Sequence, residues 1–119
     1  MSPSLARAVH RGELWVARLS PVVGAEMDKT RPVLIISADG LGALPVKLAA
    51  PCTTTPLSAA PWRVPIAATE RNGLDRDTTV DLMQIRALSV ARLTHRLGTV
   101  EPELMEDVAA IVATIVEYV

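Results

Sequence analysis

The 119-residue sequence has no phenylalanine, one tyrosine, two tryptophans, two histidines and a single cysteine. One thiol cannot close an internal disulfide, so no covalent cross-link is available to hold the fold. Cys52, beside Pro51, reads as a small buried hydrophobe rather than a nucleophile. His10, His95 and Cys52 are not at metal-ligand spacing and no carboxylates form a clustered pair, which argues against a metal centre. His95 falls in a strand-like segment and reads as structural. No G-x-x-x-x-G-K-[ST], G-x-G-x-x-G or G-x-S-x-G occurs, which removes the usual nucleotide-binding and acyl-transfer motifs. No stretch approaches the roughly 18 uninterrupted apolar residues of a membrane span. Residues 1–10 have neither the basic start nor the apolar core of an export signal, so the expected location is the cytoplasm.

Half of the residues are apolar, which suits one compact domain over residues 1–119. The net charge of -1 conceals a division along the chain. Glu101, Glu103, Glu106, Asp107 and Glu117 are the only charged residues after position 100, so the first 100 residues hold 12 basic against 8 acidic side chains. That excess fits an anionic ligand for the body, and fits an ordinary solvated surface equally well.

Residues 13–19 (ELWVARL) and 32–37 (PVLIIS) have the length and β-branched content of strands. Residues 46–50, 62–66, 78–83 and 92–99 add further strand candidates between Pro, Gly, Thr and Asp clusters. Pro56, Pro61 and Pro65 confine the candidate over 62–66 to a sheet edge or an irregular course. Arg71-Asn72-Gly73 reads as a turn, since Asn and Gly tolerate positive φ. After a short N-terminal extension over 1–10, the body is therefore β-rich. The end differs. Pro102 suits a first helical position, Glu103 and Glu106 complement the early helix dipole, and Leu104, Met105, Val108, Ile111, Val112, Ile115 and Val116 repeat at helical spacing. The expected architecture is mainly β, a curled and partly open barrel with a helix over 101–118 packed at one face or end.

The segment RGELWVARLSPVVGAEMDKTRPVLIIS, residues 11–37, contains Arg-Gly-acid, a strand, Ser-Pro, Gly-x-Glu and Arg-Pro before an apolar strand. Ala50-Pro51-Cys52-Thr53-Thr54 and Gln84-Ile85-Arg86 follow, and then the closing helix. In this order and spacing the chain resembles, over nearly its whole length, the MazF/PemK family of toxin endoribonucleases. The resemblance implies a small SH3-like barrel of the CcdB/PemK/MazF type, a homodimer, and a cognate MazE-like antitoxin whose disordered acidic segment folds across a basic groove. It implies cleavage of single-stranded RNA to a 2′,3′-cyclic phosphate and a 5′-hydroxyl. In that reaction the ribose 2′-oxygen attacks its own phosphate, so no metal or cofactor is needed.

By resemblance Arg31 is the essential arginine, and its planar fork can hold two phosphate oxygens. The family often gives this arginine the general-acid role, but a guanidinium is a reluctant proton donor, and charge stabilisation in the transition state is the better physical assignment. The competing reading packs Arg31 on its own strand or pairs it with Asp28. Thr53 matches the family's threonine, in a register that Thr54 and Thr55 leave open by one residue; hydroxyls in such a loop also make ordinary turn bonds. Glu26 matches an acid proposed as base in some relatives, and a loop glutamate is also simply solvated. Lys29, Thr30, Thr54, Trp62, Gln84 and Arg86 are the expected RNA contacts around them. One plasmid-borne relative uses an aspartate two residues before the late Gln-x-Arg; Leu82 stands there in this chain, with Asp81 adjacent. With Trp15 expected in the core, Trp62 is the remaining candidate for base stacking, or packs in its turn. Loops over 20–29 and 53–61 are expected to flank the Arg31 corner. Two other functions share the fold: a CcdB-like gyrase poison, disfavoured by the tail Val116-Glu117-Tyr118-Val119, which lacks that group's tryptophan, and a non-catalytic RNA-binding module.

Overall fold

The computed structural model describes residues 8–21, 23–27, 29–54 and 59–118. Most of the N-terminal extension, Asp28, Thr55 and Pro56 therefore lie outside the described residues. Within them the chain forms a seven-stranded antiparallel sheet and one α-helix. The strands are β1 (Glu13–Arg18), β2 (Thr30–Ile35), β3 (Val46–Thr53), β4 (Arg63–Ile66), β5 (Thr78–Asp81), β6 (Arg86–Ser89) and β7 (Leu93–Thr99), and the helix is α1 (Pro102–Ile115). The sheet runs β4-β5-β3-β2-β1-β7, with β6 attached to β3, so the barrel stays open between β4 and β7.

Strands β1 and β2 pair with Leu14 opposite Leu34 and Ala17 opposite Arg31. Both of their faces are covered. Leu14 and Leu34 join Val80, Leu82, Val100, Met105 and Val108 in a core beneath α1. Trp15, Ala17, Val33 and Ile35 join Leu88, Val90 and Leu93 on the opposite face. A strand buried on both sides reads as a nearly continuous apolar run, which accounts for the imperfect alternation of the first strands. On α1, Pro102 opens the helix and Met105 and Val108 turn inward, so helical spacing in the sequence is realised as burial. No helix among the described residues is long and apolar enough to cross a membrane.

Strand β3 is the pivot. One side of it pairs with β2 through Ala49, Ala50 and Pro51. The other side pairs first with β6, over Val46 to Ala49, and then with β5, through Cys52 and Thr53. The expected strand over 46–50 thus extends to Thr53, delivering the Pro-Cys-Thr segment to the end of the sheet. Strand β4 is terminal in the sheet order, and Pro65 sits there without breaking an interior ladder.

Three expectations are revised. The strand expected over 78–83 stops at Asp81, whose Oδ1 accepts from Met83 N at 3.0 Å and starts a 3₁₀ turn, Leu82–Gln84. Asp81 is buried and also takes the Arg63 guanidinium, Nε to Oδ2 3.4 Å, so it caps and pairs within the scaffold. Strand β6 was not anticipated, because Arg-Ala-Leu-Ser carries no β-branched run and owes its conformation to β3. His95 is exposed on β7, with Nδ1 3.1 Å from Thr94 Oγ1, rather than a packed structural residue.

Two buried polar centres hold the corners. Glu13 accepts from Trp15 Nε1 (3.0 Å), His10 N (2.8 Å) and Arg96 Nε (3.0 Å). Trp15 therefore lies in the core, as its position on the first strand implied, with its indole N–H satisfied. At the turn over 71–73, Asn72 Oδ1 accepts from Thr69 N and Leu74 N while Nδ2 donates 2.8 Å to Ala67 O. Gly73 takes φ +71°, and a Cβ at the facing Gly98 would stand 2.2 Å from Arg71 O, so the turn lies directly on β7.

Candidate active site

Arg31 is the second residue of β2, opposite Ala17 on β1 and followed by Pro32. Its half-buried side chain spans to β3, where Nη1 lies 3.4 Å from Cys52 O, and rests on the loop before β2, with Nη1 3.8 Å from Met27 Sδ. The neighbouring backbone oxygen and thioether are acceptors without full charge, and they orient the guanidinium. Thr53 closes β3 with its register partner Thr79 on β5, and Thr54 follows it into solvent.

Arg31, Thr53 and Thr54 line one recess of about 270 Å³ together with Thr30, Cys52 and Thr78. Among the described residues, its lining contains one guanidinium, several hydroxyls and no carboxylate. Such a lining is matched to an anion, since a fixed fork and neutral donors can close on phosphate oxygens without repulsion. The Cys52 side chain belongs to the core. Its thiol is pushed up from 9.0 to about 12, chiefly by complete burial, with Arg31 pulling weakly the other way. A thiol so held stays protonated and is no nucleophile.

A second recess of about 260 Å³ adjoins the first along Met27. Glu26, Gln84 and Arg86 line it, together with Pro51 and Met83. Glu26 is exposed, and its Oε1 accepts from Val23 N at 2.6 Å, closing the tip of its own loop. Gln84 Oε1 accepts from Met27 N (3.2 Å), Gln84 Nε2 donates to Ala25 O (3.4 Å), and Arg86 Nη1 donates to Leu19 O (3.3 Å). Lys29 is exposed with φ +70°, and its N–H donates to Ser20 Oγ. Trp62 lines neither recess; it lies in an apolar groove with Met83, Ile111 and Ile115, which shares Met83 with the second recess. Among the described residues, no group of three or more His, Cys, Asp or Glu side chains gathers where it could hold a metal ion.

The structure thus brings Thr30, Arg31, Thr53 and Thr54 together, sets Glu26, Gln84 and Arg86 in the adjoining recess, and leaves Trp62 against the helix. Three contributors were not singled out from sequence: the Cys52 carbonyl, the Met27 thioether and Thr78. A backbone oxygen has no sequence signature, and Met27 meets Arg31 through a loop, where residue spacing implies no proximity.

The sequence pattern of the family described as PemK-like, MazF-like toxin of type II toxin-antitoxin system matches residues 10–116. The chain belongs to this family. Among relatives of this PemK/MazF-family chain, Endoribonuclease EndoA of Bacillus subtilis (strain 168) is 39% identical over 102 residues, covering 84% of this chain and 87% of the relative. Endoribonuclease MazF6 of Mycobacterium tuberculosis (strain ATCC 25618 / H37Rv) is 38% identical over 103 residues, covering 84% and 90%. An endoribonuclease from a mycobacterial species, solved in complex with its cognate antitoxin, shares the fold at a TM-score of 0.73 and 23% identity, covering 92% of this chain and 96% of that one.

Proposed function

We propose that this PemK/MazF-family toxin is a sequence-specific endoribonuclease that cuts single-stranded RNA without a metal. The observation that carries the reading is the recess that Arg31 lines together with Thr53 and Thr54. The endoribonuclease names of relatives at 38–39% identity support it.

In this reading the ribose 2′-oxygen attacks the adjacent phosphorus while the bond to the 5′-oxygen breaks. The products are a 2′,3′-cyclic phosphate and a 5′-hydroxyl; the 2′-proton leaves to a base and the departing 5′-oxygen takes one from water. Arg31 holds the non-bridging oxygens as the phosphorane gathers charge, and the Thr53 hydroxyl and N–H donate to the same group. Glu26, in the adjoining recess, is the carboxylate assigned to the 2′-proton, with one oxygen fixed by Val23 N. Thr30, Lys29 and Thr54 flank the phosphate along the RNA path. The active form is a homodimer of one-domain chains in the cytoplasm, held inactive by a MazE-like antitoxin.

The deciding experiment incubates the purified protein with a long single-stranded transcript in EDTA and maps both new ends. Recurrent cuts at one short sequence, with cyclic phosphates upstream and 5′-hydroxyls downstream, are the expected result. Intact RNA, or cutting that requires an added divalent ion, overturns the proposal.

A further inference from the structure

The loop between β1 and β2 is fastened by side chains from the opposite end of the chain. At its entry, Arg92 Nη1 donates to Arg18 O (3.1 Å) and Ser20 O (2.7 Å), beside the Arg86 bond to Leu19 O. Near its exit, both ends of the Gln84 amide are engaged: Oε1 with Met27 N and Nε2 with Ala25 O. Gln84 is held in turn by the 3₁₀ turn that Asp81 caps. The loop residue gripped by Gln84 is the one whose sulfur touches Arg31 Nη1.

We infer that Gln84 is a positioning residue for Arg31, acting through Met27, rather than an RNA contact. The inference rests on the cleavage reading above. A primary amide suits this place because the loop presents a donor, Met27 N, and an acceptor, Ala25 O, two positions apart. Gln supplies both partners from one planar group, and Asn, the other primary amide, is one methylene too short to reach. With the amide in place, Met27 is a fixed wall against which the guanidinium lies between β3 and the loop. Without it, the segment 25–27 loses both tertiary bonds that Gln84 supplies, and Arg31 gains room to swing from the phosphate. Misplacement of a catalytic group by about 1 Å costs up to about 10²-fold in rate.

The test combines kinetics with amide exchange. The substrate is a short oligoribonucleotide carrying the cut sequence mapped on the long transcript. Gln84→Ala is expected to lower kcat by on the order of 10-fold or more with KM changed less than about 2-fold. Gln84→Asn is expected to behave like Ala. Gln84→Glu keeps the acceptor for Met27 N but loses the donor to Ala25 O, and is expected to recover part of the rate. In a double-mutant cycle, Met27→Ala added to Gln84→Ala is expected to cost little more than either alone. Amide hydrogen exchange of the whole protein is expected to show faster exchange at Met27 in Gln84→Ala, with α1 unchanged. A rise in KM at constant kcat marks Gln84 as an RNA contact and overturns the inference, as does unaltered Met27 exchange. If the wild-type protein cuts no RNA, the cleavage reading fails, and Met27 exchange alone then decides whether the Gln84 brace exists.

Discussion

The Arg31 guanidinium of β2 lies 3.4 Å, Nη1 to O, from the main-chain oxygen of Cys52 on β3. The bond joins two strands at the point where β3 leaves β2 and turns to β5, so the group that faces the recess is anchored to the pivot of the sheet. The residue supplying that oxygen has its side chain buried in the core, which fixes the acceptor in place.

Arg31→Ala is expected to lower RNA cleavage by on the order of 10²-fold or more, measured as single-turnover rate at saturating protein, while circular dichroism and the mass in solution stay unchanged. Arg31→Lys is expected to recover only part of this, because one ammonium cannot grip two phosphate oxygens as a planar fork does. Full activity in either variant removes Arg31 from the chemistry.

At Thr53 the methyl and hydroxyl are separable. Thr53→Ser keeps the donor and is expected to stay within a few-fold of the parent, whereas Thr53→Val is expected to lose on the order of 10²-fold. Thr54→Val is expected to change the rate by less than about 5-fold, because Thr54 is exposed beyond the end of β3. The reverse ranking of the two valine variants moves the catalytic register by one residue.

Cys52 links stability to alkaline pH. Its thiol is raised from 9.0 to about 12 by burial, so the folded state holds a proton that the unfolded chain releases above about pH 9. Its contribution is complete below that pH and fades as pH climbs toward 12. The urea midpoint of the parent is expected to fall between pH 9 and 11 more steeply than that of Cys52→Ala. Folded protein at pH 8 is expected to react with a thiol reagent only as it unfolds; rapid labelling contradicts the burial argument.

Gly98→Ala tests the contact between the 71–73 turn and β7. The new Cβ would meet Arg71 O at 2.2 Å and Asn72 C at 2.6 Å, both backbone atoms that cannot rotate away. The expected loss is about 3 kcal/mol or more of unfolding free energy in urea. A loss below about 1 kcal/mol would show that the turn moves freely on the strand.

Much of this was legible in the residue order. The strands at 13–19 and 32–37 carry their own β-branched or aromatic pattern, and α1 announces itself by Pro102 and the inward spacing of Met105 and Val108. Strand β6 was not legible, because four residues without a β-branched run take strand form only when β3 lies beside them. The early stop of β5 turned on a side chain, Asp81, bonding its own backbone two residues on, a local competition that strand propensity does not weigh.

The sequence alone determined the family and marked an arginine before Pro32 and a threonine after Cys52 as site candidates, because residue identity and spacing are properties of the chain itself. Only the tertiary structure decided what surrounds them. It put the Cys52 oxygen and the Met27 sulfur on the guanidinium, and turned the Gln84 amide onto the loop backbone. It also set Trp62 in a groove beside the helix. Those choices depend on how β3 bends between β2 and β5, and on a loop that side chains from residues 84–92 hold in place. Such contacts join residues more than fifty positions apart, a distance at which local pattern carries no information about approach.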